Sequence, residues 1–183
     1  MKSLRPLLAL MVALAVIGVA ACGNSDEVRT SGNEGEFIDV GDTQYQTQLT
    51  RILNPSSRPD SDLLRGQAPL GKDEAFLGTF LRINNKSGKR YQPPRDMKVK
   101  DTQGNEYLPL DTTQAAGFGL DFGQPIPGNK SAPDPDSPAG LGPDHAALLL
   151  FRVKRESVDD NLPLELEIPA QGQKNPSRIE LDI

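Results

Sequence analysis

Apolar and polar positions alternate with period two over most of the chain after residue 36, the signature of half-buried β-strands. The best-ordered stretch runs from Ala75 to Leu110. Leu77, Thr79, Leu81 and Ile83 alternate into the turn residues Asn84-Asn85-Lys86-Ser87-Gly88. A second short run around Met97 and Val99 ends at Asp101-Thr102-Gln103-Gly104-Asn105, and Tyr107 and Leu108 begin a third. Upstream, Phe37 to Val40 and Tyr45 to Leu53 also alternate, with Tyr45, Thr47, Leu49 and Leu53 expected on one face. Downstream, Ala147, Leu149, Phe151 and Val153 share a face, and the opposite face mixes Leu148 and Leu150 with Arg152 and Lys154. That mixture predicts a strand covered on both sides for half its length. Leu162, Leu164, Leu166 and Ile168, then Ile179, Leu181 and Ile183, complete the set.

No sustained helical period occurs, although Arg155 to Asn161 has room for one turn. Two long segments interrupt the strands. Residues 54–74 carry Pro55 and Pro59, which stop a ladder, with Leu63 and Leu64 expected to dip toward the core. Asp111 to Pro143 is so rich in glycine and proline that no regular element is expected there, while Phe118, Leu120, Phe122 and Ile126 give it apolar residues to pack with. About seven short strands with turn signals between them predict an all-β, immunoglobulin-like antiparallel β-sandwich with one long Pro/Gly-rich loop.

The first residues follow a different rule. Lys2 and Arg5 precede an apolar run from Leu7 to Val19 that ends in Val19-Ala20-Ala21-Cys22. The run is too short for a comfortable membrane span, and its charged start and small-residue end have the layout of a secretory signal. Val-Ala-Ala-Cys followed by Gly23 resembles the lipobox of bacterial lipoproteins, with Val19 where leucine is usual. The resemblance implies cleavage before Cys22, a diacylglyceryl thioether on its sulfur, and an extracytoplasmic domain held at the cell membrane by lipid. The other reading is an ordinary signal cut after Ala21. The expected organisation is a signal peptide over 1–21, the lipidated Cys22 with a flexible tether over 22–35, and one sandwich domain over 36–183. A polar coil of this length reaches roughly 20 Å.

Removing residues 1–21 takes Lys2 and Arg5 from the 20 basic residues and leaves 18 against 25 acidic, a net charge near −7. An acidic domain is, taken as a whole, a poor partner for nucleic acid or anionic lipid. With its single cysteine assigned to lipid, no disulfide is available, and packing alone must hold the fold.

Further resemblance rests on turn and strand signals. Ile83 to Gly88 carries an Asn-Asn-x-Ser-Gly end, and a strand leads to Asp101-x-x-Gly104-Asn105-x-Tyr107. A Pro-Gly loop from Ile126 to Lys130 precedes a hydrophobic strand ending in Phe151-Arg152-Val153. From about Gly35 to Ile183 this is similar to the immunoglobulin-like, telokin-like domain of bacterial lipoproteins catalogued as domain of unknown function 4352. The resemblance implies a cell-envelope setting and brings no catalytic residues or cofactor.

Candidate chemistry is sparse. His145 is the single histidine, so no Ser/His/Asp set assembles without it, and its surroundings lack a nucleophile elbow. The pair Asp159-Asp160 reads as solvated. Asp60-Ser61-Asp62 and Asp134-Pro135-Asp136 space oxygen ligands as a hard cation such as calcium would use, without the rest of an EF-hand loop. Met97 and His145 are too few soft ligands for copper. Asn85-Lys86-Ser87 and Asn129-Lys130-Ser131 match the glycosylation sequon but sit in turn sequences. The strongest anomaly is basic: Arg82, Lys86, Lys89, Arg90, Arg95, Lys98 and Lys100 cluster in an acidic protein. They are expected either to meet an anionic wall polymer, lipid headgroups or another envelope protein, or to be the solvated face of two neighbouring strands. The expected function is a non-enzymatic, lipid-anchored binding or spacer module. The alternative is a ligand-binding lipoprotein accessory to a transporter, with loop 111–143 as a lid over a pocket at Phe118 and Phe122.

Overall fold

A computed structural model describes residues 28–159 and 162–183. In chain order the elements are β1 (Ser31–Asn33), β2 (Phe37–Val40), β3 (Thr43–Leu53), α1 (Asp60–Leu63), β4 (Glu74–Asn85), β5 (Lys98–Asp101) and β6 (Glu106–Tyr107). There follow β7 (Ser131–Ala132), α2 (Pro138–Leu141), β8 (Ala147–Lys154), α3 (Glu156–Asp159), β9 (Leu164–Ile168) and β10 (Ser177–Leu181).

These strands make two sheets packed face to face, an all-β sandwich as the alternation predicts. One sheet has the order β1-β10-β9-β5-β6, and the other β2-β3-β4, with β7 and β8 sharing the far edge of β4. Pairing is antiparallel apart from β1 with β10. The inner faces meet in a core built on Leu77, Leu81 and Ile83 of β4, Leu149 and Phe151 of β8, Leu164, Leu166 and Ile168 of β9, and Ile179 of β10. Each such side chain, removed from water, contributes about 1.5–3 kcal/mol.

The outer face of β4 is also apolar. Phe76 and Phe80 join Leu148 and Leu150 of β8, and Leu63 and Leu64, carried by α1, close over them as a second cluster. Both the doubly covered strand at 147–154 and the inward turn of Leu63 and Leu64 follow the sequence pattern.

The expected faces of β3 are corrected by one residue. Thr47 pairs with Leu81 and Leu49 with Phe80, so Gln48 is an extra residue, a β-bulge. Because side chains alternate, that one insertion exchanges the faces. Tyr45 and Thr47 point into the main core, whereas Leu49 and Leu53 pack with the second cluster. Leu108 is likewise not a core residue: β6 ends at Tyr107, and Leu108 is 62% exposed.

The segment 111–143 is not free of regular structure. It contains β7 and the single turn α2, which Ser137 caps by accepting from the Gly140 N–H at 3.0 Å with Pro138 at the first helical position. Its first part is bound to the edge of β8. The Leu110 N–H donates to the Leu150 carbonyl at 2.7 Å, Leu148 donates to Phe118 at 2.7 Å, and Leu120 donates to Leu148 at 2.9 Å. An edge that would otherwise present unpaired backbone groups is thereby covered.

The ordered fold starts earlier than residue 36. β1 lies inside the segment expected as tether, paired along β10, and Arg29, two residues before it, reaches the other sheet. The Asp39 N–H donates to the Arg29 carbonyl at 2.6 Å, and Asp39 Oδ2 accepts from the Arg29 N–H at 3.0 Å. Residues 29–33 thus close the sandwich on the side where β2 meets β10. Cys22 and the segment 1–21 lie outside the described residues, as does Asp160.

Candidate functional site

Strand direction sorts the loops to two ends. The chain entry at Arg29, the β2–β3 turn at Gly41-Asp42, the connection from β4 to β5, residues 126–130 and the β9–β10 connection share one end. A hydrogen bond from Ser177 Oγ to the Asp39 carbonyl at 2.9 Å ties the two sheets there. The opposite end carries residues 54–73, the β5–β6 turn, α3 and the chain terminus.

The seven clustered cations do not form one face, because β4 and β5 belong to opposite sheets rather than being neighbours. Lys98 and Lys100 lie on the outer face of the β10-β9-β5 sheet. There Lys98 Nζ stands 2.7 Å from Glu106 Oε1 and 3.7 Å from Glu167 Oε2, and Arg178 holds the other Glu167 oxygen at 3.2 Å. Lys100 stands opposite Glu106 and Glu165 in register. This face is a ladder of opposite charges in which the lysines are already matched. Arg82, opposite Gln46, is on the outer side of the other sheet. Arg95 stacks over the Phe122 ring, 5.7 Å from its centroid, beside an open cleft of about 690 Å³ lined by Asp111, Thr112, Leu120 and Phe122.

Lys86, Lys89 and Arg90 remain together, and the fold adds a residue the sequence reading took only as part of a turn, Lys130. All four are exposed. They sit on two loops fused by one side chain. The buried Asn85 amide donates to the carbonyls of Lys89 at 2.7 Å, Pro127 at 2.9 Å and Ile126 at 3.1 Å, while its oxygen accepts from the Ser87 N–H and hydroxyl. Backbone bonds complete the joint: Asn129 donates to Ser87 at 2.9 Å, Asn85 donates to Lys130 at 2.9 Å, and Tyr91 and Ile126 exchange both of theirs. Beneath it, the Tyr45 and Tyr91 hydroxyls meet at 2.8 Å; burial, with Tyr91 alongside, pushes the Tyr45 phenol well above its ordinary range. Asn85 therefore spends its amide inside the protein and offers no free acceptor at its sequon.

The resulting basic end is a rigid platform with mobile-length side chains on it, suited to a polyanion rather than to a shaped small molecule. Lys86 Nζ stands 4.0 Å from Asp39, which is also occupied by the Arg29 backbone and Gln44, and the Lys86 N–H donates to the carbonyl of exposed Asp42 at 3.2 Å. Lys174, on the β9–β10 connection, adds an exposed cation at the same end.

The remaining candidates have structural partners. Asp60 is bound to Arg51 at 2.7 Å and to the Asn54 N–H, and Asp62 to Arg65 at 2.7 Å. Asp134 accepts from the Asp136 N–H. His145 Nδ1 is 2.6 Å from the Gly140 carbonyl. Among the described residues no three acidic, histidine or cysteine side chains converge as a metal site would require.

No family model matches the chain, and no curated protein does. Solved structures do. An uncharacterised β-sandwich protein from Clostridium difficile 630 is 13% identical with a TM-score of 0.51, over 84% of this chain and 95% of that one. The yjhA protein from Bacillus subtilis is 13% identical with a TM-score of 0.52, over 82% of this chain and 99% of that one. At such identity the likeness is one of fold, and it supports the two-sheet sandwich over most of the chain.

Proposed function

We propose that this protein is a lipid-anchored, extracytoplasmic lipoprotein of the bacterial envelope whose sandwich acts as a non-enzymatic binding or spacer module, of the kind that domain of unknown function 4352 resembles. The observation that carries this reading is the leader: a charged start and an apolar run, ending in Val19-Ala20-Ala21-Cys22 only seven residues before the first paired residue, Arg29. A diacyl modification at Cys22 supplies stable attachment, since two acyl chains hold where one is marginal. Metabolic labelling with a fatty acid tests it. Label should enter the protein and be lost in Cys22→Ala, which should also release the protein from the membrane fraction; an unlabelled, membrane-retained protein refutes the reading.

The cleft beside Arg95 and Phe122 favours a second reading, a ligand-binding lipoprotein accessory to a transporter. It pairs a cation with an aromatic surface, although the flanking segment up to Leu120 is held to β8. Loss of a co-purified small molecule in Arg95→Ala, with the fold retained, would favour it over the module.

A further inference from the structure

We infer that the basic end formed by Lys86, Lys89, Arg90 and Lys130 seats the sandwich on anionic lipid headgroups, so that the domain stands on the membrane with a fixed end down. The inference rests on the anchoring at Cys22 proposed above and concerns what the anchored domain then touches.

The direct link is chain entry. Arg29 is pinned through both backbone groups to Asp39, and Asp39 is the acidic neighbour of Lys86. The chain therefore enters the fold beside the cationic loops. Seven Cα–Cα steps lead from Cys22 to Arg29. Fully stretched they reach about 25 Å, and as a coil roughly 15 Å. This is shorter than the tether expected from sequence, because residues 31–33 belong to β1.

The cations clustered at the entry end have the matching sign. Exposed Lys86, Lys89, Arg90, Lys130 and Lys174 mark the entry end, where Asp42, beside the first turn, and Asp96, on the β4–β5 connection, are exposed acids. The far end is mixed: Asp73, Glu156, Asp159 and Asp182 stand among the exposed cations Arg58, Arg65, Lys72, Lys154 and Arg155. Anionic headgroups attract these entry-end cations within a screening distance of about 8 Å at physiological salt, so only the end next to the membrane feels them. A short tether keeps the local concentration high, so weak individual contacts suffice. The platform is built to hold its shape: Asn85 and the close approach of Gly128 to Gly88 lock the two loops together. A rigid array contacts a surface without the ordering cost that a flexible basic segment meets.

The test uses the full-length lipidated protein in phosphatidylcholine vesicles with or without phosphatidylglycerol. Single thiols are introduced for a fluorophore at Gly88→Cys, where a side chain meets open space, and at the far end at the exposed Gln103→Cys. Quenching by a headgroup-bound quencher should appear at residue 88 and not at residue 103, should require phosphatidylglycerol, and should be relieved by salt. Neutralising Lys86, Lys89, Arg90 and Lys130 to Gln should weaken the phosphatidylglycerol-dependent contact about fivefold per cation removed. The salt arm needs no charge-neutralising variant, only the labelled Gly88→Cys protein, and stands even if the fourfold substitution perturbs the loops. Equal quenching at both sites, or indifference to phosphatidylglycerol, overturns the inference, as does a basic end shielded only in intact envelopes, which would assign it to a wall polymer. The unsubstituted protein separates the two claims. If its Cys22 thiol is blocked but residue 88 is unquenched, the anchor stands and the seating falls; if that thiol reacts freely, both fall.

Discussion

Among the described buried polar side chains, Asp101 is fully provided for and three threonine hydroxyls are not. Asp101 Oδ1 accepts from the backbone of Gln103 and Asn105, and Oδ2 accepts from Asn105 Nδ2 at 2.7 Å, Ser157 Oγ at 2.7 Å and Tyr107 OH at 3.2 Å. Burial pushes its carboxyl up, but hydrogen bonds from Asn105, Ser157 and Tyr107 outweigh it and bring the pKa down to about 2. The carboxylate thus binds the β5–β6 turn to α3 across the two sheets, which is what the spacing of Asp101, Gly104, Asn105 and Tyr107 serves. Asp101→Asn should cost about 2 kcal/mol at neutral pH, read as a lower urea midpoint. The hydroxyls of Thr47, Thr50 and Thr79 have the opposite status, buried without a partner on the inner face of their sheet, Thr50 directly opposite Thr79. Removing an unsatisfied hydroxyl while keeping the shape relieves a desolvation cost of about 1–3 kcal/mol. Thr79→Val should therefore leave stability unchanged or raise it in equilibrium unfolding; a loss above about 1 kcal/mol would mean the hydroxyl has a partner in solution.

Among the elements, the two loops of the basic end depend on a contact that only hydrogen fits. A Cβ on Gly128 would fall 2.5 Å from both the carbonyl carbon and oxygen of Gly88. Gly128→Ala must separate the loops, breaking bonds of the Asn85 amide, and should cost about 1–3 kcal/mol. The cost should appear as faster amide exchange at Asn129 and Tyr91 while the β4 ladder stays protected; unchanged exchange at both would count against the loops being one unit. How legible these elements were follows from what sets them. Alternation identified β4, β8, β9 and β10 because each has a buried face, and period two is then enforced. It placed Leu49 and Leu53 on the wrong face because a bulge at Gln48 is decided by tertiary fit and leaves no periodic trace. β1 and β7 were invisible as polar two- and three-residue strands held by backbone pairing alone, and α2 was hidden by the very proline and glycine that cap it. The basic cluster was legible as composition but not as a place. Adjacent in sequence, β4 and β5 cross between sheets, which separates Lys98 and Lys100 from Lys86, Lys89 and Arg90 and brings Lys130 in from far along the chain.

At the scale of the whole molecule, no disulfide is available to the sandwich, and its pH range is set by groups that tie distant segments together. Besides Asp101, four carboxyls sit below their ordinary values. Asp60 is pushed up by burial but held down by Arg51 and the Asn54 N–H, and Glu74 is lowered by the Gly71 N–H and Arg152. Glu106 is lowered by Lys98, and Asp111 by the Thr113 N–H. A carboxyl with a depressed folded pKa contributes stability that is present above its unfolded value, near 4, and is lost as pH falls through the folded value. Lys98 runs the other way: Glu106 raises its pKa, so its contribution is complete below the ordinary lysine value of 10.5 and disappears as pH climbs through the raised one. Stability should hence be nearly level from about pH 5 to 10 and fall on both sides. On the acid side the loss should continue to about pH 2, because Asp101 is the last of these groups to accept a proton. A series of urea midpoints against pH checks this, and Asp101→Asn supplies the control. That variant should start lower at neutral pH and lose less on acidification, its curve converging on the wild type near pH 2. Parallel curves would mean that Asp101 keeps its ordinary pKa and that the five-donor cradle is not formed in solution.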